Sequence, residues 1–507
     1  MPDQMASITE LYKPLDDAPI NSKHWLTVIT AGMGFFTDAY DLFIIGTVTA
    51  ILAPIWHLST GQLSLLNSVS LLAAVLGALV FGKLMDRLGR KAVYGIEIIL
   101  LVVGAIASAF APNFAVLFVC RILVGVGVGG DYATSAVITT EYANRKNRGR
   151  LVGTVFAMQG FGLLAGPAVA AILLGSGVSH ALAWRLMLGL GAIPAASVVY
   201  LRRKIRETPR YTLAIEGDLE ATAETVKWTT GESSSTNTTV SSTNTTVSST
   251  TSRREAQLPI RAKLTSKPYL LRLIGTAGSW FLLDVAFYGN SVSSPLILKA
   301  LQPHASLLKN ILIAGAIFAI FAVPGYWLAV WLMDKIGRKR IQWQGFLVMG
   351  VAFAAIALIP GLTKNAWAFL ILFGISYFFI EFGANMTTFV VPGEVFPTSI
   401  RGMGDGISAG GGKIGAFLGA LVVPTLLKTI HLTGVMGIMA GVSLIGVLLT
   451  LAAVPESMGK SLEDSSAELS STDHKSSNTP STPNTPSTPN TPTGTLRSAP
   501  IAVAVGE

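Results

Sequence analysis

The sequence predicts an all-α integral membrane protein with twelve transmembrane helices in two pseudo-symmetric six-helix halves. Of its 507 residues, 51% are hydrophobic and 13% are charged, whereas soluble domains carry about 25% charged residues. Twelve apolar stretches of spanning length follow one another. They begin near Trp25, Leu63, Ala92, Phe114, Leu151, Ala183, Tyr269, Leu307, Ile341, Ala366, Gly402 and Gly434. None alternates in hydrophobicity like the strands of a membrane barrel.

The net charge of +9 does not indicate nucleic acid as a partner, because the basic residues lie in short loops. Basic clusters occupy residues 83–91, 145–150 and 335–340, which follow the second, fourth and eighth stretches. The loops 54–62 and 111–115 carry no Lys or Arg. The positive-inside rule therefore predicts that both termini are cytoplasmic, and the partner of the long apolar stretches is the lipid bilayer.

Two sequence patterns occur twice, about 250 residues apart. The stretch GKLMDRLGRK at 82–91 recurs as VWLMDKIGRK at 330–339, and a Glu followed seven residues later by Arg-Gly occurs at Glu141 and again at Glu394. Near-constant offsets indicate a duplicated six-helix unit. We expect the charged residues of these repeats to form gating ion pairs rather than to bind substrate. They are Asp86, Arg90, Glu141, Arg148, Asp334, Arg338, Glu394 and Arg401.

Polar, repetitive sequence separates the halves and ends the chain. The heptapeptide STNTTVS occurs twice in succession from Ser235 to Ser248, and the tail repeats NTPSTP. Such composition is typical of disordered segments. The predicted organisation is a cytoplasmic N-terminus (1–24), an N-terminal half (25–200), a disordered cytoplasmic linker (201–268), a C-terminal half (269–455) and a low-complexity cytoplasmic tail (456–507).

Polar residues inside the apolar stretches occur in pairs that the duplication relates. Asp38 corresponds to Asp284, and two further pairs follow at offsets of 253 and 254. These pairs are Tyr132 with Asn385 and Gln159 with Lys413. Pseudo-equivalent residues of an internal repeat lie at similar membrane depth around a shared axis, where substrate sites form. Trp280, Asp284 and Tyr288 also share one helical stripe.

Lys413 predicts an anionic substrate, because it is a cation in a glycine-rich apolar stretch. Hydroxyl, amide and indole donors around it suit a small tetrahedral oxyanion. Asp284 would repel an anion unless it accepts a proton from the substrate or is itself protonated; phosphate carries such a proton at neutral pH and sulfate does not. The substrate-site candidates are Tyr132, Gln159, Trp280, Asp284, Tyr288, Asn385 and Lys413. A structural Lys413–Asp pair remains the alternative.

Four carboxylates within the apolar stretches are candidates for proton carriage. Ionisable groups inside membrane spans are costly and mark ion or proton pathways. The candidates are Asp38, Asp41, Asp131 and Asp284. Asp41 and Asp131 are the preferred members of this set, and Asp38 is the weakest.

Six further motifs lie within the apolar stretches or at their ends: DAYD at 38–41, GGDY at 129–132, EYAN at 141–144, FAMQ at 156–159, WFLLDVAFY at 280–288 and PGEVFP at 392–397. Through these motifs the chain resembles the plant and fungal high-affinity phosphate:proton symporters of the major facilitator superfamily over roughly residues 25–462. This resemblance implies the major facilitator fold, phosphate bound by the seven site candidates above, and proton movement through Asp41 and Asp131. Departures include Ala133-Thr134, the three glycines before Lys413 and the repetitive linker.

The expected function is therefore phosphate import with protons by alternating access, at the plasma membrane. A glycerophosphodiester transporter and a phosphate receptor that does not transport are the alternatives. An enzyme is not expected, since the sequence contains no nucleophile triad, nucleotide-binding loop or metal-ligand cluster. No cofactor or metal is expected. The sequence does not indicate an oligomeric state.

Overall fold

Twelve helices that are long and apolar enough to cross a membrane dominate the computed structural model, which describes residues 12–231, 260–302 and 304–467. They are α1 (Ser22–Ile55), α2 (Thr60–Leu88), α3 (Arg90–Ala109), α4 (Phe114–Tyr142), α5 (Arg148–Gly175), α6 (His180–Lys204), α7 (Lys267–Val292), α8 (Leu307–Ile336), α9 (Arg338–Leu358), α10 (Ala366–Val395), α11 (Thr398–Thr429) and α12 (His431–Ala453). Within these described residues there is no β-strand. The all-α membrane fold predicted from the sequence is confirmed.

Helix boundaries follow from side chains that satisfy the free backbone groups at helix ends. The Asn21 side chain accepts hydrogen bonds from the backbone of Lys23 and His24 at the start of α1. Ser59 and Gln62 form a capping box at the start of α2. Such caps replace the hydrogen bonds that the first turn of a helix lacks.

The duplicated loop motif has the same backbone in both halves. Gly89 separates α2 from α3 with φ +96°, and Gly337 separates α8 from α9 with φ +100°. Glycine alone adopts this region without strain, so the sharp reversal between these helices requires it. The conformational match supports the duplication inferred from the sequence.

Helix packing places the two halves side by side around a shared centre. In the N-terminal half, α1 packs on α5 and α2 on α4; in the C-terminal half, α7 packs on α11 and α9 on α12. Extensive contacts between α2 and α11 and between α5 and α8 join the halves. Further contacts of α1 with α4 and α7, and of α10 with α4, α5 and α7, bring these helices together between the two halves.

Glycines allow the closest of these helix contacts, as in membrane packing generally. A Cβ added to Gly129 in α4 would lie 1.9 Å from the carbonyl oxygen of Ala74 in α2. Inserting a larger side chain into a well-packed core costs roughly 1–3 kcal/mol. We expect Gly129→Val to lower the free energy of unfolding by at least this amount. Thermal unfolding of detergent-purified protein measures this. Gly441→Val in α12 is the matched control, because no atom lies within 4 Å of its added Cβ; equal melting temperatures for the two variants would contradict the packing argument.

The linker prediction requires a correction at its start. Disorder was predicted from residue 201, but α6 continues to Lys204 and further helices cover Pro209–Tyr211, Thr212–Glu216 and Leu219–Thr230. The reason is that Arg202 is buried in an ion pair with Glu97 of α3, and Arg210 is buried in an ion pair with Asp16 of the N-terminal segment. The polar composition of this stretch therefore did not reveal that its arginines are held by the folded chain. Residues 232–259, which contain the STNTTVS repeats, lie outside the described residues.

The tail prediction needs a similar correction. Low-complexity sequence was predicted from residue 456, yet a short helix covers Leu462–Ser466, and Leu462, Glu463 and Ser466 are buried. The apolar Leu462 and the charged Glu463 anchor this stretch against the bundle. Residues 468–507, including the NTPSTP repeats, lie outside the described residues.

Candidate functional site

Lys413 occupies the centre of the bundle, at the meeting point of α11 and α7. Its ammonium donates to the Tyr288 hydroxyl at 3.1 Å and lies 3.4 Å from the nearer carboxylate oxygen of Asp284. All three side chains are buried. Because α7 presents Asp284 and Tyr288 one turn apart, both face the same lysine. The predicted association of these three residues is observed.

The N-terminal half closes over this cation with Tyr132 of α4. The hydroxyls of Tyr132 and Tyr288 lie 3.4 Å apart, and the Lys413 ammonium lies 3.9 Å from the centroid of the Tyr132 ring. Trp280 contacts Tyr132 with ring centroids 6.1 Å apart. These contacts join residues of both halves around one ammonium group, whose charge the aromatic faces help to stabilise.

Two of the seven predicted site residues, Gln159 and Asn385, lie outside the group of hydrogen bonds and ring contacts around Lys413. Asn385 of α10 donates to the Tyr326 hydroxyl at 3.2 Å and to Glu381. The Gln159 side-chain oxygen is buried and has no hydrogen-bond partner. In this conformation the structure therefore assembles Tyr132, Trp280, Asp284, Tyr288 and Lys413, and leaves Gln159 and Asn385 outside that hydrogen-bonded group.

Asp41, one of the four predicted proton carriers, forms a buried ion pair. It binds Arg121 of α4 through two contacts of 2.7 and 2.8 Å. Asp38, one helical turn earlier, is completely buried, and neither of its carboxylate oxygens has a hydrogen-bond partner. The two aspartates of the DAYD motif therefore lie in different electrostatic surroundings.

Asp131 belongs to a second buried cluster at the end of α6. Arg202 contacts Asp131 at 2.8 Å and Glu97 at 2.6 Å, and its guanidinium lies over the Tyr94 ring. Ser135 donates to Asp131 at 2.6 Å. Each of the preferred proton-carrier candidates, Asp41 and Asp131, is thus held by an arginine.

Sequence reasoning missed Glu97, Arg121, Arg202 and Glu381, all of which are buried and ionisable. The available signal was their position within or beside apolar stretches, where ionisable residues are rare. Arg202 was assigned to the linker, and Glu381 has no polar counterpart in the other half.

The loops with the duplicated motif close one end of the bundle, called here the basic end. Asp86 accepts hydrogen bonds of 2.9 and 2.7 Å from the backbone of Gly402 and Met403. In the mirrored contact, Asp334 accepts bonds of 3.0 and 2.7 Å from the backbone of Gly149 and Arg150. Each aspartate thus binds the start of a helix in the opposite half, where the helix dipole favours an anion.

Two glutamates hold these loops together, but not symmetrically. Glu141 contacts Arg90 at 3.0 Å within its own half and Arg401 at 2.7 Å in the other half. Glu394 contacts Arg338 at 2.9 Å. All the predicted gating residues therefore lie at this end.

Arg148 departs from the twofold pattern. It donates to the Lys460 carbonyl at 3.1 Å and lies 3.7 Å from Asp16, whereas its counterpart Arg401 binds Glu141. Asp16 and the Lys460 carbonyl thus contact Arg148 where, in the mirrored site, Glu141 contacts Arg401.

Arg210 joins the two terminal segments beneath the basic end. It contacts Asp16 at 2.8 Å and Glu463 at 3.0 Å and donates to the Glu141 carbonyl at 2.8 Å. Burial disfavours the charged form of Glu463, but the Arg210 guanidinium outweighs this effect and holds the pKa of that carboxyl below its usual value. The described parts of both termini therefore lie at the same end of the bundle.

We expect Glu463→Gln to destabilise the protein by about 2 kcal/mol at neutral pH, the size of a hydrogen bond to a charged group. Because the folded-state pKa is lowered, this stabilisation is present above the unfolded pKa and disappears as the pH falls through the folded value. Melting temperatures of wild type and variant at pH 7 and in stronger acid measure the effect. A difference in melting temperature between wild type and variant that stays constant below about pH 4 would contradict the ion pair.

The opposite end is closed as well. An added Cβ on Gly46 of α1 would lie 3.2 Å from the Val292 carbonyl of α7, and Lys428 of α11 donates to Thr60 of α2 at 3.3 Å. Residues of both halves thus meet above and below Lys413. The structure is occluded, with its central cation sealed at both ends.

Comparison with known proteins identifies the family. The family model described as "Sugar (and other) transporter" matches residues 26–469. The chain belongs to this family. It is 36% identical to "Low affinity inorganic phosphate transporter 1" of Petunia hybrida, covering 92% of this chain and 96% of the relative. It is also 36% identical to "Inorganic phosphate transporter 1-4" of Arabidopsis thaliana, covering 93% and 98%.

Solved structures confirm the major facilitator fold. The proton:xylose symporter XylE bound to 6-bromo-6-deoxy-D-glucose aligns with a TM-score of 0.75 at 21% identity, covering 88% of this chain and 99% of that chain. An inward-open conformation of XylE from E. coli aligns with a TM-score of 0.61 over a similar range. The family assignment and the fold agree with the resemblance drawn from the sequence motifs.

Proposed function

We propose that this protein is a secondary active transporter that imports inorganic phosphate together with protons. The observation that carries the proposal is the buried Lys413 ammonium, contacted from both halves by tyrosine rings and sealed at both ends of the bundle. Relatives named inorganic phosphate transporters, 36% identical over nearly the whole chain, support phosphate as the substrate.

Lys413 would provide the positive charge for phosphate, and Tyr132 and Tyr288 would donate hydrogen bonds to its oxygens. Asp284 would accept a hydrogen bond from the protonated oxygen of dihydrogen phosphate. Sulfate at neutral pH has no such proton and would meet the carboxylate as a bare anion. This difference would make Asp284 the basis of selection between the two tetrahedral anions.

Gln159 and Asn385 would complete the site when phosphate enters. The Gln159 side-chain oxygen has no partner and is an acceptor, so it would accept a hydrogen bond from a hydroxyl of protonated phosphate. Asn385 would exchange its present partner Glu381 for a phosphate oxygen. Binding would then draw α5 and α10 toward α7 and α11, which couples occupancy to the approach of the two halves.

Transport would proceed by rocking of the two halves around this site. The ion pairs of the basic end hold that side closed and must separate for release. We assign the basic end to the cytoplasm, because its loops carry the clustered Lys and Arg residues. Both termini would then be cytoplasmic, and uptake would occur at the plasma membrane.

Protons would act on the buried ion pairs of the N-terminal half. Protonation of Asp41 would remove the charge that holds Arg121, and protonation of Asp131 would loosen Arg202. Asp38 lies between these pairs on α1 with no hydrogen-bond partner, so it would accept a proton without breaking a contact. Neutralising these groups weakens contacts between α1, α4 and α6, which favours rearrangement.

The proposal is tested by uptake of radiolabelled phosphate into proteoliposomes that contain the full-length protein. We expect an inward proton gradient to drive accumulation, excess unlabelled phosphate to abolish it, and excess sulfate to leave it intact. Strong competition by glycerophosphate would instead identify a glycerophosphodiester transporter. Phosphate binding without uptake would identify a receptor and refute the transport proposal.

A further inference from the structure

We propose that Glu381 is an additional proton-carrying residue of the transport cycle, located in the C-terminal half beside a substrate-site residue. This inference rests on the proposed function. Glu381 lies in α10, is completely buried, and interrupts an otherwise apolar stretch. None of the candidate pathways drawn from the sequence motifs contains it.

Glu381 has one engaged and one free carboxylate oxygen. Oε2 accepts a hydrogen bond from the side-chain amide of Asn385, and Oε1 has no partner. No Lys or Arg among the residues that the structure describes lies within 4 Å of this carboxylate, in contrast to Asp41, Asp131 and Asp284, each of which contacts one. The free Oε1 is therefore available to take up a proton, which would relieve the cost of burying a lone carboxylate ion.

The groups facing Glu381 come from the helices packed around it. Tyr326 of α8 and Tyr377 of α10 are the nearest titratable side chains, and Asp284 of α7 interacts at longer range. Helix α9 approaches through the backbone of Gly345, and its Arg338 is engaged by Glu394 instead. The surroundings thus contain hydroxyl and amide groups and one further carboxylate, and no Lys or Arg among the described residues lies within 4 Å of Glu381.

The backbone here has a local irregularity of the kind that marks functional sites. Residues Ile380–Asn385 form a π-helical turn within α10, and single π-turns in α-helices are frequent at such sites. The turn brings Glu381 and Asn385 onto one face, so the amide of Asn385 can bind either the carboxylate or a phosphate oxygen. The counterpart of Glu381 in the N-terminal half, at the offset of 253, is Val128. The pairing of a buried glutamate with a site asparagine therefore has no counterpart at the matched position of the N-terminal half.

The step is a simple proton transfer. A proton from the outer solution bonds to Oε1 of the carboxylate as phosphate binds, and the charge of the residue changes from −1 to 0. The neutral acid releases Asn385, whose amide becomes free to donate to phosphate. After the basic end opens, the O–H bond breaks, the proton passes to cytoplasmic water, and the restored carboxylate recaptures Asn385 and favours phosphate release.

Glu381→Gln fixes the neutral form and is the primary test. In proteoliposomes we expect phosphate/phosphate counterflow at equal pH to persist, while accumulation driven by a proton gradient falls at least about tenfold, a change of about 1.4 kcal/mol. The number of protons entering per phosphate, read with an internal pH-sensitive dye, should fall by one. Tyr326→Phe is the control, because it removes the other acceptor for Asn385 but no carboxyl group; its proton ratio should equal that of wild type.

A second measurement uses wild-type protein and does not depend on the folding of a variant. A hydrophobic carbodiimide modifies protonated carboxyls in apolar surroundings, so mass spectrometry should find the adduct on Glu381 and not on Glu141, which binds two arginines. An unlabelled Glu381, or an unchanged proton ratio in Glu381→Gln, would overturn this inference. Failure of wild type to catalyse counterflow would instead overturn the proposed function.

Discussion

Lys413→Ala is expected to abolish phosphate uptake. The lysine is the cation at the centre of the occluded site, and it contacts Asp284, Tyr288 and the ring of Tyr132. Truncating one partner of a buried charge pair costs about 2–5 kcal/mol, so phosphate affinity should fall by roughly thirtyfold to several thousandfold. Equilibrium binding of radiolabelled phosphate to detergent-purified protein and uptake into proteoliposomes measure the two effects separately.

Two further variants separate binding from structural pairing. Lys364→Ala removes an exposed lysine from the segment between α9 and α10 instead, and uptake should stay near the wild-type rate. The double variant Asp284→Asn/Lys413→Ala removes both members of the central pair. If Lys413 served only to neutralise Asp284, this double variant would regain uptake; the proposed site requires that it stay inactive even where its melting temperature recovers.

The sequence predicted the central cluster because the duplication and the helical period carry positional information. Asp284 and Tyr288 share a stripe of α7, and Lys413 is a cation in the middle of a glycine-rich apolar stretch. These two observations were sufficient to predict that Asp284, Tyr288 and Lys413 lie close together. The same reasoning predicted that Gln159 and Asn385 lie near these residues. However, similar depth in the membrane does not determine which hydrogen-bond partner a side chain has. Asn385 pairs with Glu381 in the occluded conformation.

The search for matched polar residues also missed residues that differ between the two halves. Glu381 has Val128 as its counterpart, so a search for polar residues in both halves could not reveal it. Arg148 and Arg401 are matched in sequence, yet Arg401 binds Glu141 while Arg148 binds the Lys460 carbonyl. This difference arises because segments outside the repeated unit reach the basic end, and no repeat pattern contains them.

Composition was a poor guide at the linker boundary. The stretch from residue 201 is polar, but Arg202 forms ion pairs of 2.6 and 2.8 Å inside the N-terminal half. A buried arginine requires acceptors supplied by other helices, here Glu97 of α3 and Asp131 of α4. Such partners are far apart in the sequence, so only the folded chain reveals that the residue is anchored.

Glu141→Gln should produce the largest loss of stability among changes at the basic end. Glu141 holds Arg90 of its own half and Arg401 of the opposite half, and all three side chains are buried. Removing the negative charge leaves two buried guanidinium groups without their shared anion, and breaking a buried pair in this way costs about 3–5 kcal/mol. The closed basic end is stabilised by this contact between halves, so the variant should also favour the conformation open to that side.

The internal repeat supplies the matched control for this prediction. Glu394→Gln is the same change at the equivalent position, but Glu394 forms its salt bridge with Arg338 of its own half, while Arg148 is held by Asp16 and the Lys460 carbonyl. Melting temperatures of the two purified variants should therefore rank Glu141→Gln below Glu394→Gln, and thiol labelling of cysteines introduced at the basic end should rise more in Glu141→Gln. Equal melting and equal labelling would mean that the Glu141–Arg401 contact contributes nothing to closure, and the asymmetry of the gate would then have no energetic consequence.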